Sequence, residues 1–164
     1  MASTTLRNLF ENQLQDAYSS ETQIKKALPK LAKAAASAEL KAGFEQHLTE
    51  TNGQIGRLEN IGQALGIKLS GNTCEATEGL VEEGEEIIKM DLDPDARDAG
   101  LIAAAQKVEH YEIAMYGSLC AWAKQLGLGD TASTLHQTLE EEKRTDAKLT
   151  QIAEAKVNAR ASAK

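Results

Sequence analysis

Rings are scarce in this chain. Only 4% of its 164 residues are Phe, Trp or Tyr, so a core of ordinary size must come from Ala, Leu and Ile within the 41% hydrophobic share. A chain of this length can bury such a core as one domain, expected over residues 1–164. Proline occurs twice, at Pro29 and Pro94, which leaves long runs free for helices. Cysteine also occurs twice, and the isolated positions of Cys74 and Cys120 exclude a CxxC pair and a disulfide framework. Both are expected as reduced thiols, with Cys120 packed. The net charge is -7, with no Lys/Arg block and no basic run interleaved with rings. Nucleic acid and anionic membrane surfaces are therefore excluded as partners. No basic start leads into an apolar run, as a signal peptide requires, and no stretch approaches the roughly 20 apolar residues of a membrane span. A reducing cytoplasm is the expected compartment.

What remains is helical periodicity. Residues 4–36 read as one long helix capped by Ser3 or Thr4, with Leu6, Phe10, Ala17, Ile24, Leu28 and Leu31 on the apolar seam and Glu21 beside it. Pro29 is expected to kink this helix rather than end it. After a tight turn near Ser37, a second helix runs to about Leu65. Its seam is Leu40, Phe44, His47, Thr51, Gln54, Leu58, Ile61 and Leu65, polar in the middle. A short acidic helix over 73–91 carries Leu80, Ile87 and Ile88 on one side, and Glu82, Glu83, Glu85 and Glu86 on a solvated face. Asp93 and Pro94 start the next long helix, which Gly127-Leu128-Gly129 stops. Asp130 or Thr131 is expected to cap the last helix, and the basic tail over 156–164 is expected to fray. Four long helices, two tight turns and one long connection give an all-α four-helix bundle whose crossover carries a short fifth helix.

The residues of interest lie inside that bundle. Val108-Glu109-His110-Tyr111-Glu112-Ile113-Ala114-Met115-Tyr116 sits mid-helix, and the repeat set by Ile102, Ala105, Leu119, Ala123 and Leu126 puts Glu109, Glu112 and Tyr116 on one seam. Carboxylates three apart point the same way, and each buried ion costs several kcal/mol unless it is paired or bound to a cation. The two hairpins also mirror one another. Glu21 and Glu112 each lie 16 residues before their turns, at Ser37 and Leu128; Glu50 and Glu142 lie 13 and 14 after. All four then sit about 20–24 Å from their turns, and Gln54 corresponds to Asp146. The competing account is a seam drawn one residue off, with these glutamates solvated. His47 is either a core histidine bonded to a neighbour or a ligand. His110 and His136 are expected at the surface, and Tyr18, Tyr111 and Tyr116 as packing residues.

Bundles whose helices each present an acidic residue at one height bind two metal ions through bridging carboxylates. Leu14-Gln15-Asp16-Ala17-Tyr18-Ser19-Ser20-Glu21-Thr22-Gln23, Phe44-Glu45-Gln46-His47-Leu48-Thr49-Glu50-Thr51 and the Val108–Gly117 stretch, with Ala27-Leu28-Pro29-Lys30-Leu31-Ala32 and Gln54-Ile55-Gly56-Arg57-Leu58-Glu59, resemble the YciE/YciF-type bacterial stress proteins. The similarity covers nearly the whole chain. It implies a ferritin-like fold, a homodimer and a role in stress tolerance. One departure stands out. The Glu-x-x-His histidines of ferritin-like metal sites are replaced by Gly53 after Glu50 and Thr145 after Glu142, while His47 precedes Glu50 and Asp146 follows Glu142.

Two functions follow. In the first, two iron or manganese ions are held by Glu21, Glu50, Glu109, Glu112 and Glu142, with Asp146 or His47 as a further donor, for iron oxidation or peroxide consumption with an unidentified redox partner. In the second, the bundle is a non-catalytic binding or scaffold protein whose metal, if any, is structural.

Overall fold

The structure, a computed structural model, describes residues 4–163. The helices are α1 (Leu6–Ala34), α2 (Ala38–Leu65), α3 (Glu75–Lys89), α4 (Pro94–Gln125) and α5 (Gly129–Ile152), followed by a π-helical turn Ala153–Val157 and a last helical turn, α6 (Asn158–Ser162). There is no strand among the described residues. The expected architecture is the observed one: α1 pairs with α2, α4 with α5, and the crossover helix α3 lies against α1 and α4. No helix among the described residues is long and apolar enough to cross a membrane.

The helix ends differ in detail from expectation. Thr5, not Thr4, caps α1: its hydroxyl accepts from the Asn8 backbone and the Asn8 side chain reaches back to the cap, closing a capping box. Ser3 lies outside the described residues. Pro29 is carried inside α1, which continues to Ala34. The last long helix starts earlier than expected, with Leu128 at the cap and no side-chain capping bond, because Gly127 (φ 73°) has already turned the chain. Helix α3 is shorter than expected, and its buried residues are Thr77 and Gly84, with Leu80, Ile87 and Ile88 half-buried. The tail expected to fray stays helical to Ser162. Val157 is the reason, since it packs into the core cluster with Ile152 and Ala153.

Two contacts fix the layout. Asp98 of α4, itself buried, accepts from the backbone N–H groups of Ala36 (2.8 Å) and Ser37 (2.7 Å), tying the first hairpin's turn to the second hairpin. At Gly100, a Cβ would lie 2.8 Å from Ile87 Cγ2, so glycine permits α3 to approach α4.

The core is split in two. One cluster holds Phe10, Leu14, Leu58, Leu119 and Leu135; the other holds Ile24, Leu28, Phe44, Leu101 and Leu149. Each large side chain so buried stabilises the fold by about 1.5–3 kcal/mol. The layer between them is polar, and it contains the candidate site.

Candidate metal centre

Every long helix contributes to this layer. α1 supplies Glu21, α2 supplies His47, Thr51 and Gln54, α4 supplies Glu109, Glu112 and Tyr116, and α5 supplies Glu142; all are buried. The helical spacing dictates this. Glu109, Glu112 and Tyr116 repeat at three and four residues, as do His47, Thr51 and Gln54, so each set lines one face. Ligand atoms of His47, Glu109, Glu112 and Glu142 all lie within 4.8 Å of one another.

The contacts of this cluster are incomplete. His47 Nε2 lies 3.2 Å from Glu109 Oε1 and 3.9 Å from Glu142 Oε2, but neither ring nitrogen makes a hydrogen bond. Both oxygens of Glu112 are buried without a partner, as are Glu109 Oε2, Glu142 Oε2 and Glu21 Oε2. Glu21 Oε1 accepts from the Tyr116 hydroxyl. Gln54 Nε2 donates to Glu142 Oε1 and, at 3.2 Å, to Glu141 Oε2, while Arg57 pairs with Glu141 and donates to Thr138 Oγ1 at 3.1 Å.

Electrostatics sharpen the picture. Burial pushes the Glu21 carboxyl up to about 7, against the Tyr116 hydrogen bond and the charge of His47. Burial, with repulsion from Glu21, Glu142 and Glu109, raises Glu112 well above the carboxylate range. Burial likewise raises Glu142 well above it, opposed by His47. Burial alone would lower His47, but Glu109, Glu50 and Glu142 outweigh it and hold the imidazole well above its ordinary value. Burial and mutual repulsion thus favour the protonated forms of Glu21, Glu112 and Glu142 where no cation is bound.

The residues present fit a divalent cation. Orphaned carboxylate oxygens and one imidazole converge where hydrogen bonding leaves them unsatisfied. Carboxylate oxygens with one imidazole nitrogen suit a hard or borderline divalent ion; a soft, thiolate-seeking ion is not served.

Not every candidate enters the cluster. Glu50 keeps 26% of its side chain exposed, 3.9 Å from His47 Nδ1, and accepts from Gln46 and Thr145. Asp146 keeps 22% exposed and faces outward, 3.4 Å from His110 Nε2 and accepting from Gln106 at 3.0 Å. Helical phase explains both. On α2 the inward positions are His47, Thr51 and Gln54, and Glu50 flanks them; on α5 the seam from Glu142 to Leu149 passes between Thr145 and Asp146, both half-buried. Height along the bundle was matched, but facing was not.

Sequence reasoning missed Glu141 and Arg57 as the support for Gln54. A signal was present: Arg57 falls three residues after Gln54, and Glu141 precedes Glu142. Both cysteines are free and buried. Cys74 caps α3, with its Sγ 3.0 Å from the Tyr111 hydroxyl. His110 and His136 are exposed, as expected.

Four long helices with one long crossover connection make a ferritin-like fold. A family model described as a domain of unknown function, DUF892, matches residues 5–162, and the chain belongs to that family. It is 47% identical over 161 residues to Protein YciF of Escherichia coli (strain K12), covering 98% of this chain and 97% of that protein. The crystal structure of the E. coli stress protein YciF matches with a TM-score of 0.92 at 47% identity, covering 95% of this chain and 99% of that one. YcfI, described as a putative structural protein from Rhodopseudomonas palustris, matches at 0.85 and 44% identity over 89% and 93% of the two chains. A two-domain protein of Anabaena variabilis containing DJ-1/ThiJ/PfpI-like and ferritin-like domains matches at 0.65 and 19% identity. That match covers 96% of this chain and 39% of that one, and shows the fold alone.

Proposed function

We propose that this chain is a ferritin-like stress protein that binds divalent iron or manganese in its polar layer. One observation carries the reading: four buried donors lie within 4.8 Å of one another, with five buried carboxylate or imidazole side chains left with orphaned atoms when Glu21 is included. His47, Glu109, Glu112 and Glu142 hold the ion, and Glu21, oriented by Tyr116, supplies a carboxylate for a second. Gln54, supported by Glu141 and Arg57, fixes Glu142 in its inward rotamer.

Bound iron supplies one-electron chemistry toward dioxygen or peroxide. The chain's own residues bind, exclude water through the two apolar clusters, and exchange protons as the metal replaces them. Aerobic addition of Fe(II) tests this directly. A near-ultraviolet band should grow faster than in protein-free buffer; an identical rate with metal demonstrably bound overturns the oxidative part of the reading.

The second reading, a non-catalytic scaffold whose metal is absent or structural, draws on the single histidine among the donors. It predicts no turnover, with or without bound metal. Under either reading we expect a homodimer, checked by light scattering at micromolar concentration.

A further inference from the structure

Two cavities meet the same edge of the polar layer. One, of about 30 Å³, lies between α1, α3 and α4; the other, of about 20 Å³, lies between the two hairpins. Leu28, His47, Ala105 and Glu109 line both. The larger is walled mostly by aliphatic groups, among them Val81 and Ile88 of α3 and Val108 of α4. Its lining runs from Lys30 and Glu85, joined at the surface by a 2.5 Å ion pair, to the buried pair His47 and Glu109. Both ring nitrogens of His47 and one oxygen of Glu109 lack hydrogen-bond partners. An apolar space thus reaches two residues that carry unsatisfied ligand atoms.

The space suits one kind of visitor. A hydrated cation would have to shed water among methyl groups, and hydrogen peroxide would lose hydrogen bonds there without replacement. Dioxygen carries no charge and no donor, and a cavity of this size has room for a molecule about as large as water. Small residues keep the passage open. A Cβ at Gly84 would lie 3.8 Å from both Ala104 Cβ and Leu31 Cδ2, so glycine here is not demanded by close packing.

We propose that the cavity beneath α3 is the approach of dioxygen to the His47–Glu109 edge of the site, held open by Gly84, Ala104 and Ala105. The chemistry rests on the metal-binding reading; the cavity does not. Xenon, another apolar gas, probes it without metal, because apolar cavities stay dry and take up xenon. Crystals of the metal-free protein under xenon pressure should show xenon against Leu28, Ala105 and Val108. Its occupancy should fall in Gly84→Ala, which fits without a clash, and vanish in Gly84→Leu. No xenon there, or xenon retained unchanged in both variants, overturns the proposal.

A kinetic arm uses the iron-loaded protein. Oxidation by dioxygen should slow several-fold in Gly84→Leu, and to a lesser degree in Gly84→Ala, at equal iron content, while oxidation by hydrogen peroxide keeps its rate. Gly43→Ala, whose Cβ would lie 3.7 Å from Ile152 Cδ1 on the smaller cavity, should leave both rates unaltered. Equal dioxygen rates in the wild type and the Gly84 variants, or equal slowing with both oxidants, overturn the route. Should no variant and no wild type bind iron, the metal reading fails, and the xenon result alone decides whether the cavity admits an apolar gas.

Discussion

The two hairpins are laid out alike but bring different chemistry to mid-bundle. The second, α4 and α5, brings three buried carboxylates to the cluster, Glu109, Glu112 and Glu142, with no buried cation of its own. The first, α1 and α2, buries one carboxylate, Glu21, with His47 and the neutral Thr51 and Gln54. Glu50 turns outward where its mirror position Glu142 is buried, and Asp146 turns outward where its mirror position Gln54 is buried. The internal repeat therefore sets height and pairing, while the site itself is lopsided. The acidic hairpin needs a counter-charge, and the other hairpin supplies a histidine and an amide. An ion in the layer would join the two halves.

The largest expected effect comes from the acidic hairpin. Glu112→Ala should weaken manganese affinity on the order of a hundredfold. The metal-dependent gain in stability, about 2.7 kcal/mol at a hundredfold excess over Kd, should shrink with it, while metal-free stability holds or rises because a buried, unpaired carboxyl has gone. Calorimetry with and without manganese reads both. The tie between the hairpins ranks next. Asp98→Ala strands two backbone N–H groups at the first turn and should cost about 3 kcal/mol in denaturant unfolding, with metal stoichiometry unchanged.

Acidity should separate protons from metal. Glu21 holds its proton up to about 7 when folded, against an ordinary 4.5. Between those values the folded protein binds more protons than the unfolded chain, so this contribution is complete below the lower value and is lost as pH rises through the upper one. Glu112 and Glu142 act in the same direction. The metal-free melting temperature should therefore fall as pH rises from acid to neutral, and saturating manganese should flatten that slope. An unchanged slope would separate metal from these carboxyls.

Smaller effects sharpen the contrast. Gln54→Leu removes the donor to Glu142 and Glu141 and should cost about 1–2 kcal/mol in metal-free protein. Glu50→Gln should change stability by no more than about 0.5 kcal/mol, since the group is partly solvated. A loss of metal affinity in Glu50→Gln as large as in Glu112→Ala would mean that Glu50 turns inward on binding, and the lopsided site would become a symmetric one.

How far the sequence carried this picture depends on the kind of constraint. Pro94 after Asp93, the glycines at 127 and 129 and the long apolar seams mark helix ends and faces, because backbone geometry and burial act locally. Glu109 and Glu112 were legible for the same reason: their own helix carries enough apolar residues to fix its phase. Glu50 was not. Counting from the turn gives its height, but α2's facing depends on which side α5 covers, a contact the spacing of one helix does not contain. The buried Val157 was hidden likewise, since Lys156 and the alanines around it read as solvated tail. Arg57 and Glu141 meet only after two helices pack, which no single periodicity reveals.

If a metal displaces protons held by the buried carboxyls of the polar layer, its binding must release them. Titration calorimetry of manganese into metal-free protein near pH 7, repeated in two buffers of different ionisation enthalpy, tests it most directly. Saturable binding with buffer-dependent heat, showing net proton release that Glu112→Ala diminishes, is the predicted result. Absence of saturable binding, or binding without proton release that persists unaltered in Glu112→Ala, would contradict it.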